Sequence, residues 1–343
     1  MERLGRHRPG PRGHRDPARR PPRGPAGPHP LRHAARPAAG HPAGRPGAWH
    51  RGQRTTCPTP GGDPVPLTLV AALRSVTGEH RAANEDSAGC SSRFALVADG
   101  VGGHAGGDVA SGTVVQRLVA TLGAGGDAGA DRAASPSAED LRTAVEEANG
   151  DLVRRTRRDP DLTGMATTLT GVFCAGDTVR LVHIGDSRAY RWRDGQGRRL
   201  SRDDSLVQLL VDEGVIDPAD AAGHPRRNVI LHCLGGDPAD PAHVTVADAD
   251  VRAGDRLLLA TDGLTDYVPE GHVLAVLGDA ADPQEAVDRL VTTALDADAW
   301  DNVTVVVADV VEDGGSASSG VVGQVRTAGA AAGDGRAVLG STA

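Results

Sequence analysis

Lysine is missing from all 343 residues, so every one of the 37 basic side chains is an arginine. Aromatic residues are almost as scarce: two Phe, two Tyr and three Trp. Both shortages read as the imprint of GC-rich coding rather than as a functional signature. Cysteine is sparse too. Cys57, Cys90, Cys174 and Cys233 lie far apart and form no CxxC pair. That excludes a disulfide framework and a thiolate zinc site, and fits reduced core residues of a cytosolic protein. No apolar run approaches the ~20 residues that span a bilayer, and the first residues lack the apolar segment of a secretory signal. The sequence therefore predicts a cytoplasmic protein with no membrane partner.

The charge that is present is unevenly placed. Residues 1–60 hold 13 arginines against two acids, Glu2 and Asp16, whereas the rest of the chain holds 24 arginines against 43 acids. The first 65 residues are dominated by Arg, Pro, Gly, His and Ala without a periodic apolar face. They cannot bury enough surface to offset their ordering entropy, and are expected to be a disordered extension. A basic tail could touch nucleic acid or acidic lipid. No fold motif accompanies these arginines and the remainder is acidic, so no nucleic-acid partner is expected. Residues 312–343, rich in Gly, Ala and Ser, read as a flexible tail. A single folded domain is then expected over 66–311.

Within it, short apolar runs alternate with amphipathic stretches. "LTLVAALRSVTG" (67–78), "RFALVADG" (93–100), "TTLTGVFCAG" (167–176), "TVRLVHIGDS" (178–187), "RAYRWRDG" (188–195), "DRLLLATDG" (255–263) and "NVTVVVADV" (302–310) have strand character, with "DGQG" (194–197) as a turn. Helices are expected at 107–122, 137–157, 204–214 and 283–296. Ser137 with Asp140 three residues on, and Asp282 followed by Pro283 and Glu285, are helix-start signals of the capping-box kind. Strands close in sequence and joined by turns predict largely antiparallel sheets with helices packed outside, an α+β architecture.

Acidic residues recur where these strands end. Asp99 closes "ALVAD" and Asp262 closes "LLLATD", each followed by glycine; Asp186 sits in "VHIGDSR"; Asp301 precedes "NVTVVV"; Glu85 and Asp86 lie in "RAANEDS". One Asp-Gly after a strand is most simply a turn, and Asp186 on its own could merely start one. Several in order are harder to read as turns alone, because buried carboxylates need hydrogen bonds, partners or a metal. An oxygen-only ligand set suits Mg²⁺ or Mn²⁺ rather than zinc. Convergence of several carboxylates would suit two ions about 3.5–4 Å apart, a geometry used for in-line displacement at phosphorus.

The motifs "RAANEDS" (81–87), "VADGVGGHAGGDVAS" (97–111), "GMATTLT" (164–170), "VHIGDSRAY" (182–190), "SLVQLLVDEGVI" (205–216), "HPRRNVILHCLGG" (224–236), "LLLATDGLTDYV" (257–268) and "DNVTVVV" (301–307) occur in this order. Together they resemble the metal-dependent serine/threonine protein phosphatases of type 2C, in their bacterial form. The resemblance covers nearly all of 68–310. It implies two packed antiparallel sheets flanked by helices, an αββα sandwich, and hydrolysis of phosphoserine and phosphothreonine in phosphoproteins with Mn²⁺ or Mg²⁺. It also implies site roles. Asp99 would bridge two tightly held ions, with Asp262 and Asp301 completing one, and Glu85 and the Gly100 carbonyl serving the other. Asp186 would hold a weaker third ion shared with Asp262. Arg81 would grip the phosphate, and Asp86 would orient water beside the metals. His104 would be the acid for the leaving alcohol, unless water on the metals donates that proton. The implied partners are phosphorylated proteins, serine/threonine kinases and their substrates. Two alternatives are a sporulation-type regulatory phosphatase acting on an anti-sigma-factor antagonist, which shares the metal carboxylates although "NEDS" and "GDSRAY" fit the general bacterial group better, and an inactive phosphatase-fold binding module. Two positions depart from the family pattern, Asp204 in place of histidine and Ala166 in place of glycine.

Overall fold

A computed structural model describes residues 65–101, 106–123, 135–313 and 325–332. His104 and all but the last residue of the 1–65 extension lie outside them. Among the described residues thirteen strands form: β1 (Leu67–Val76), β2 (Ser87–Cys90), β3 (Phe94–Ala98), β4 (Gly100–Val101), β5 (Ala166–Thr167), β6 (Leu169–Ala175), β7 (Thr178–Ile184), β8 (Arg188–Arg193), β9 (Gln196–Arg199), β10 (Thr245–Ala249), β11 (Arg256–Ala260), β12 (Val303–Glu312) and β13 (Arg326–Gly329). The helices are α1 (Gly107–Gly123), α2 (Ala138–Arg158), α3 (Leu206–Asp212), α4 (Pro218–Ala221), α5 (Asp262–Thr265), α6 (Glu270–Asp279) and α7 (Pro283–Asp296).

One sheet has the order β1-β12-β11-β8-β9 and the other β10-β7-β6-β3-β2-β13, and every pairing in them is antiparallel. The apolar runs are continuous because both faces of the central strands are buried. In β11, Leu257 and Leu259 meet Ala95, Val97, Val172 and Leu181 of the opposite sheet. Leu258 and Ala260 turn the other way, against Val276, Leu277, Val287 and Leu290 of α6 and α7. In β3, Ala95 and Val97 face inward, while Phe94 and Leu96 pack on Val114, Leu118 and Leu141 of α1 and α2. A strand with two partners needs apolar residues at every position, not at alternate ones. The result is the expected αββα sandwich.

The helix starts also behave as their sequences predict. Ser137 and Asp140 form a reciprocal capping box. At α7 the Asp282 side chain caps the Glu285 N–H, while Glu285 Oε2 accepts from Ala281 N instead of closing the box. The hairpin β8–β9 turns on Asp194 and Gly195, both at positive φ (51° and 78°), as a two-residue type I′ turn requires. One expectation needs correction. The Gly/Ala/Ser tail is not uniformly without structure, because Arg326–Gly329 pairs with β2 as an edge strand and Ala331 packs against the α1–α2 side of the sheet. Small residues conceal such a strand, since its hydrogen bonds come from the backbone. Among the described residues no helix is long and apolar enough to cross a membrane, and Cys90, Cys174 and Cys233 are free.

Candidate active site

The acidic residues singled out in the sequence sit at the same end of the two sheets' central strands. Asp99 follows β3, Asp186 lies between β7 and β8, Asp262 opens α5 directly after β11, and Asp301 precedes β12. Glu85 and Asp86 lead into β2. Asp86 and Asp186 are buried, and the other four are partly open to water.

The backbone brings them together through close approaches that only glycine allows. A Cβ on Gly263 would lie 1.9 Å from the Asn302 carbonyl oxygen, so α5 rests directly on the start of β12. A Cβ on Gly100 would lie 2.3 Å from the Gly107 carbonyl and 2.6 Å from that of Glu85. The glycines after Asp99 and Asp262 thus serve packing rather than positive φ. Gly107 completes the crowding: a Cβ there would be 2.9 Å from both Glu85 Oε2 and the Gly100 carbonyl oxygen. Those two oxygens were expected on one ion, and they face the same small space.

Hydrogen bonds fix the rest. Asn302 receives Glu85 N–H on Oδ1 at 2.8 Å and donates from Nδ2 to the carbonyls of Thr77 and Ala83. The Asp99 backbone N–H donates to Thr168 Oγ1, and its carbonyl accepts from Thr167 Oγ1. Thr168 Oγ1 in turn meets Ser187 Oγ at 2.8 Å, beneath the Asp186 turn. Thr261 Oγ1 donates to Asp86 Oδ2 at 2.9 Å. Arg81 donates from Nη2 to Asp301 Oδ2 at 2.6 Å and from Nε to the Trp300 carbonyl at 3.2 Å. Asn302, Thr261, Thr167 and Thr168 were not singled out in the sequence. Their nearest signal is position, since each adjoins a carboxylate at a strand end or pairs with one across the sheets.

Electrostatically the carboxylates strain against each other. Burial, then repulsion from Asp86, Asp262, Asp186 and Asp301, holds Asp99 well above the carboxylate range. Asp262 is raised in the same way, by burial and then by Asp186, Asp301 and Asp266. Both side chains keep some contact with water while dense protein surrounds them. Burial lifts Asp86 to about 7, although the Thr304 and Thr261 hydroxyls offset part of it. Asp186 rises to about 6 through burial and Asp266, with Arg188 pulling the other way. Glu85 is raised by burial, which Arg81 opposes. For Arg81 burial acts downward, but Asp301 and Glu85 outweigh it and its pKa is raised.

Two buried oxygens, Asp186 Oδ1 and Asp262 Oδ1, have no hydrogen-bond partner. Unpaired buried carboxylate oxygens among like charges suit a hard cation in chemistry. Among the described residues, however, no group of three or more His, Cys, Asp or Glu side chains is arranged to hold an ion. Asp301 accounts for part of this. Its Oδ2 is taken by Arg81 and its Oδ1 accepts from Asn302 N–H. The carboxylates share one neighbourhood without forming a closed ligand shell.

Asp204, the departure from the family pattern, accepts from the Gly185 N–H on Oδ2 at 3.0 Å and faces His232 Nδ1 at 3.8 Å. It joins the segment after β9 to the turn that carries Asp186. Arg227, in the same segment, donates from Nε to Asp266 Oδ2 at 3.1 Å.

Residues 81–297 match the family model described as Protein phosphatase 2C. A serine/threonine protein phosphatase PstP of Mycobacterium tuberculosis is 43% identical over 248 residues, covering 72% of this chain and 46% of that protein. The chain therefore spans about half the length of this curated relative. The serine/threonine phosphatase stp of Listeria monocytogenes is 34% identical over 261 residues, covering 73% of this chain and all of that one. The crystal structure of the M. tuberculosis PstP/Ppp phosphatase superposes with a TM-score of 0.65 at 41% identity, covering 71% of this chain and 99% of that one. A structure of the PstP catalytic domain in complex with two manganese ions superposes at 0.62, again at 41% identity, covering 72% and 100%. With a family model matching well over half of its length and relatives above 40% identity, the chain belongs to the protein phosphatase 2C family.

Proposed function

We propose that the chain hydrolyses phosphoserine and phosphothreonine in phosphoproteins, and that it needs divalent metal to do so. The observation that carries this is the pair of buried, partnerless oxygens on Asp186 and Asp262 within a cluster of mutually repelling carboxylates. A protein gains no stability from such a cluster, so its use lies in what it binds. Bound manganese or magnesium, two ions held tightly and a third more weakly, would supply an activated water and neutralise charge on the phosphoryl oxygens.

The chain's own residues do the rest. Asp99, Asp262 and Asp301 would hold one ion and Glu85, Asp99 and the Gly100 carbonyl the other, while Asp186 and Asp262 would hold the weaker third. Arg81 grips two phosphate oxygens with its planar guanidinium. A shift of Nη2 from Asp301 to phosphate would also leave Asp301 Oδ2 available to metal. Asp86, fixed by Thr261, accepts a hydrogen bond from the attacking water and aims it in line with the leaving oxygen. All six carboxyl positions carry Asp or Glu, which leaves the inactive-module alternative without a missing ligand. The substrates are phosphoproteins, with serine/threonine kinases and their targets as partners, and the proposed compartment is the cytoplasm.

Asp99→Asn is the test. It keeps the shape and removes the charge shared between two ions, so turnover of a phosphopeptide should fall at least about a thousandfold. Calorimetric titration should show weakened manganese binding alongside. Near-normal turnover would refute the assignment.

A further inference from the structure

Trp300 is exposed to 60%, in a chain whose other large aromatic side chains include Tyr190, Phe94 and Phe173, all fully buried. Its indole stacks on the His80 ring, with centroids 4.5 Å apart and planes 16° from parallel. Asp298 fastens both: Oδ1 lies 2.7 Å from His80 Nε2, and Oδ2 accepts from Trp300 Nε1 at 3.2 Å. The turn that presents this carboxylate is tight, with Asp298 at φ 57°. The two loops beneath are already locked. Gly78 approaches so closely that a Cβ would lie 2.5 Å from the Asp301 carbonyl oxygen, and Asn302 Nδ2 bonds the Thr77 carbonyl. The ring stack is therefore not needed to hold these loops together, and the indole's exposure is not repaid by core packing.

We propose that the His80–Trp300 stack is a substrate subsite for a basic side chain, arginine foremost, flanking the phosphorylated residue of a phosphoprotein. This rests on the phosphatase reading above. Position is the first argument. Arg81, the phosphate-gripping residue, adjoins His80 in sequence and donates to the Trp300 carbonyl. With a rise of about 3.4 Å per residue, an extended peptide whose phosphate lies on Arg81 passes the stack within about three residues. Charge is the second. The Asp298 side chain stays 72% exposed while bonded to both rings, so it can accept from another donor. Shape is the third. His80 stacks on one face of an indole that stays 60% exposed, and a guanidinium stacks on an exposed ring face while pairing with a carboxylate at its edge. An acidic flanking residue would instead meet Asp298 and be disfavoured.

The test uses the full chain with manganese, p-nitrophenyl phosphate, and phosphothreonine peptides carrying Arg, Ala or Glu at each of the three positions on either side. At one position or more, arginine should raise kcat/KM about fivefold over alanine, mainly through KM, and glutamate should lower it. Trp300→Ala should bring the arginine-to-alanine ratio close to one, and Trp300→Phe should keep most of the preference. Asp298→Asn should lessen both the arginine gain and the glutamate loss. If wild type hydrolyses p-nitrophenyl phosphate and all peptides without preference, or Trp300→Ala keeps the wild-type ratio, the subsite is overturned and the phosphatase reading stands. Wild type that hydrolyses none of them overturns both.

Discussion

A buried carboxylate oxygen without a hydrogen bond is unfavourable, and Asp186 and Asp262 each carry one. Asp186 separates two accounts of the "HIGDS" motif. A carboxylate that only closed a turn would bond the backbone two residues on, whereas Asp186 Oδ1 is left free and its neighbours Asp262 and Asp266 repel it. Asp186→Ala is therefore expected to leave the metal-free melting temperature unchanged or slightly raised. Turnover of a phosphopeptide should fall by at least about tenfold, with a shifted manganese-dependence curve. A lowered melting temperature with undiminished turnover would reduce Asp186 to a turn residue. At this scale the sequence was informative about carboxylates, because an acid at the end of an apolar strand is conspicuous. It was silent about Asn302, which ties Glu85, Thr77 and Ala83 together. A single amide in a loop carries no pattern, and its value appears only when three distant segments meet.

The elements that carry the site depend on how closely they approach. Residue by residue, α5 is four positions long and has no side-chain cap on Thr261, so its propensity cannot hold it; contact with β12 does. Gly263→Ala would place a methyl carbon 1.9 Å from the Asn302 carbonyl oxygen. The helix would have to lift, at a cost of about 3 kcal/mol, read as a fall of several degrees in a thermal melt. Gly271 in α6 is the control. A Cβ there meets nothing within 4 Å, so Gly271→Ala should be neutral or stabilising by up to about 1 kcal/mol. Elements were legible where burial wrote them into the chain. The central strands β3, β11 and β12 are apolar on both faces, and α2 and α7 announce their starts with Ser137 and Asp282. Missed elements are short or marginal: β2 is buried and paired on both sides, but its four small residues "SAGC" carry no strand pattern. Strands β10 and β13 are sheet edges with one partner each, built from "TVADA" and "RTAG", and their pairing rests on the backbone. Helix α6 follows Pro269, which makes no side-chain cap bond.

Over the whole molecule, the carboxylate cluster couples stability to pH and to metal in opposite ways. A carboxyl with a raised folded pKa binds its proton more tightly in the folded chain than in the unfolded one, where it titrates near 4. Its contribution is fully present below that value and is lost as pH rises through the folded pKa. For Asp186, raised to about 6, and Asp86, raised to about 7, the loss falls between about pH 4 and pH 7. The metal-stripped protein should therefore melt at a higher temperature at pH 5.5 than at pH 7.5. Asp86→Asn should flatten that slope, and an unchanged slope in the variant would remove Asp86 from the account. Manganese should reverse the trend, since it binds the ionised cluster and stabilises the fold by mass action. The most direct test of the central claim is the rate of phosphothreonine-peptide hydrolysis by the full chain, measured as isolated, in EDTA, and after manganese or magnesium is returned in excess. The account predicts loss of activity in EDTA and recovery with either ion to within about tenfold of the starting rate. Hydrolysis that persists undiminished in EDTA, or a fully loaded chain that leaves the phosphopeptide intact, would contradict it.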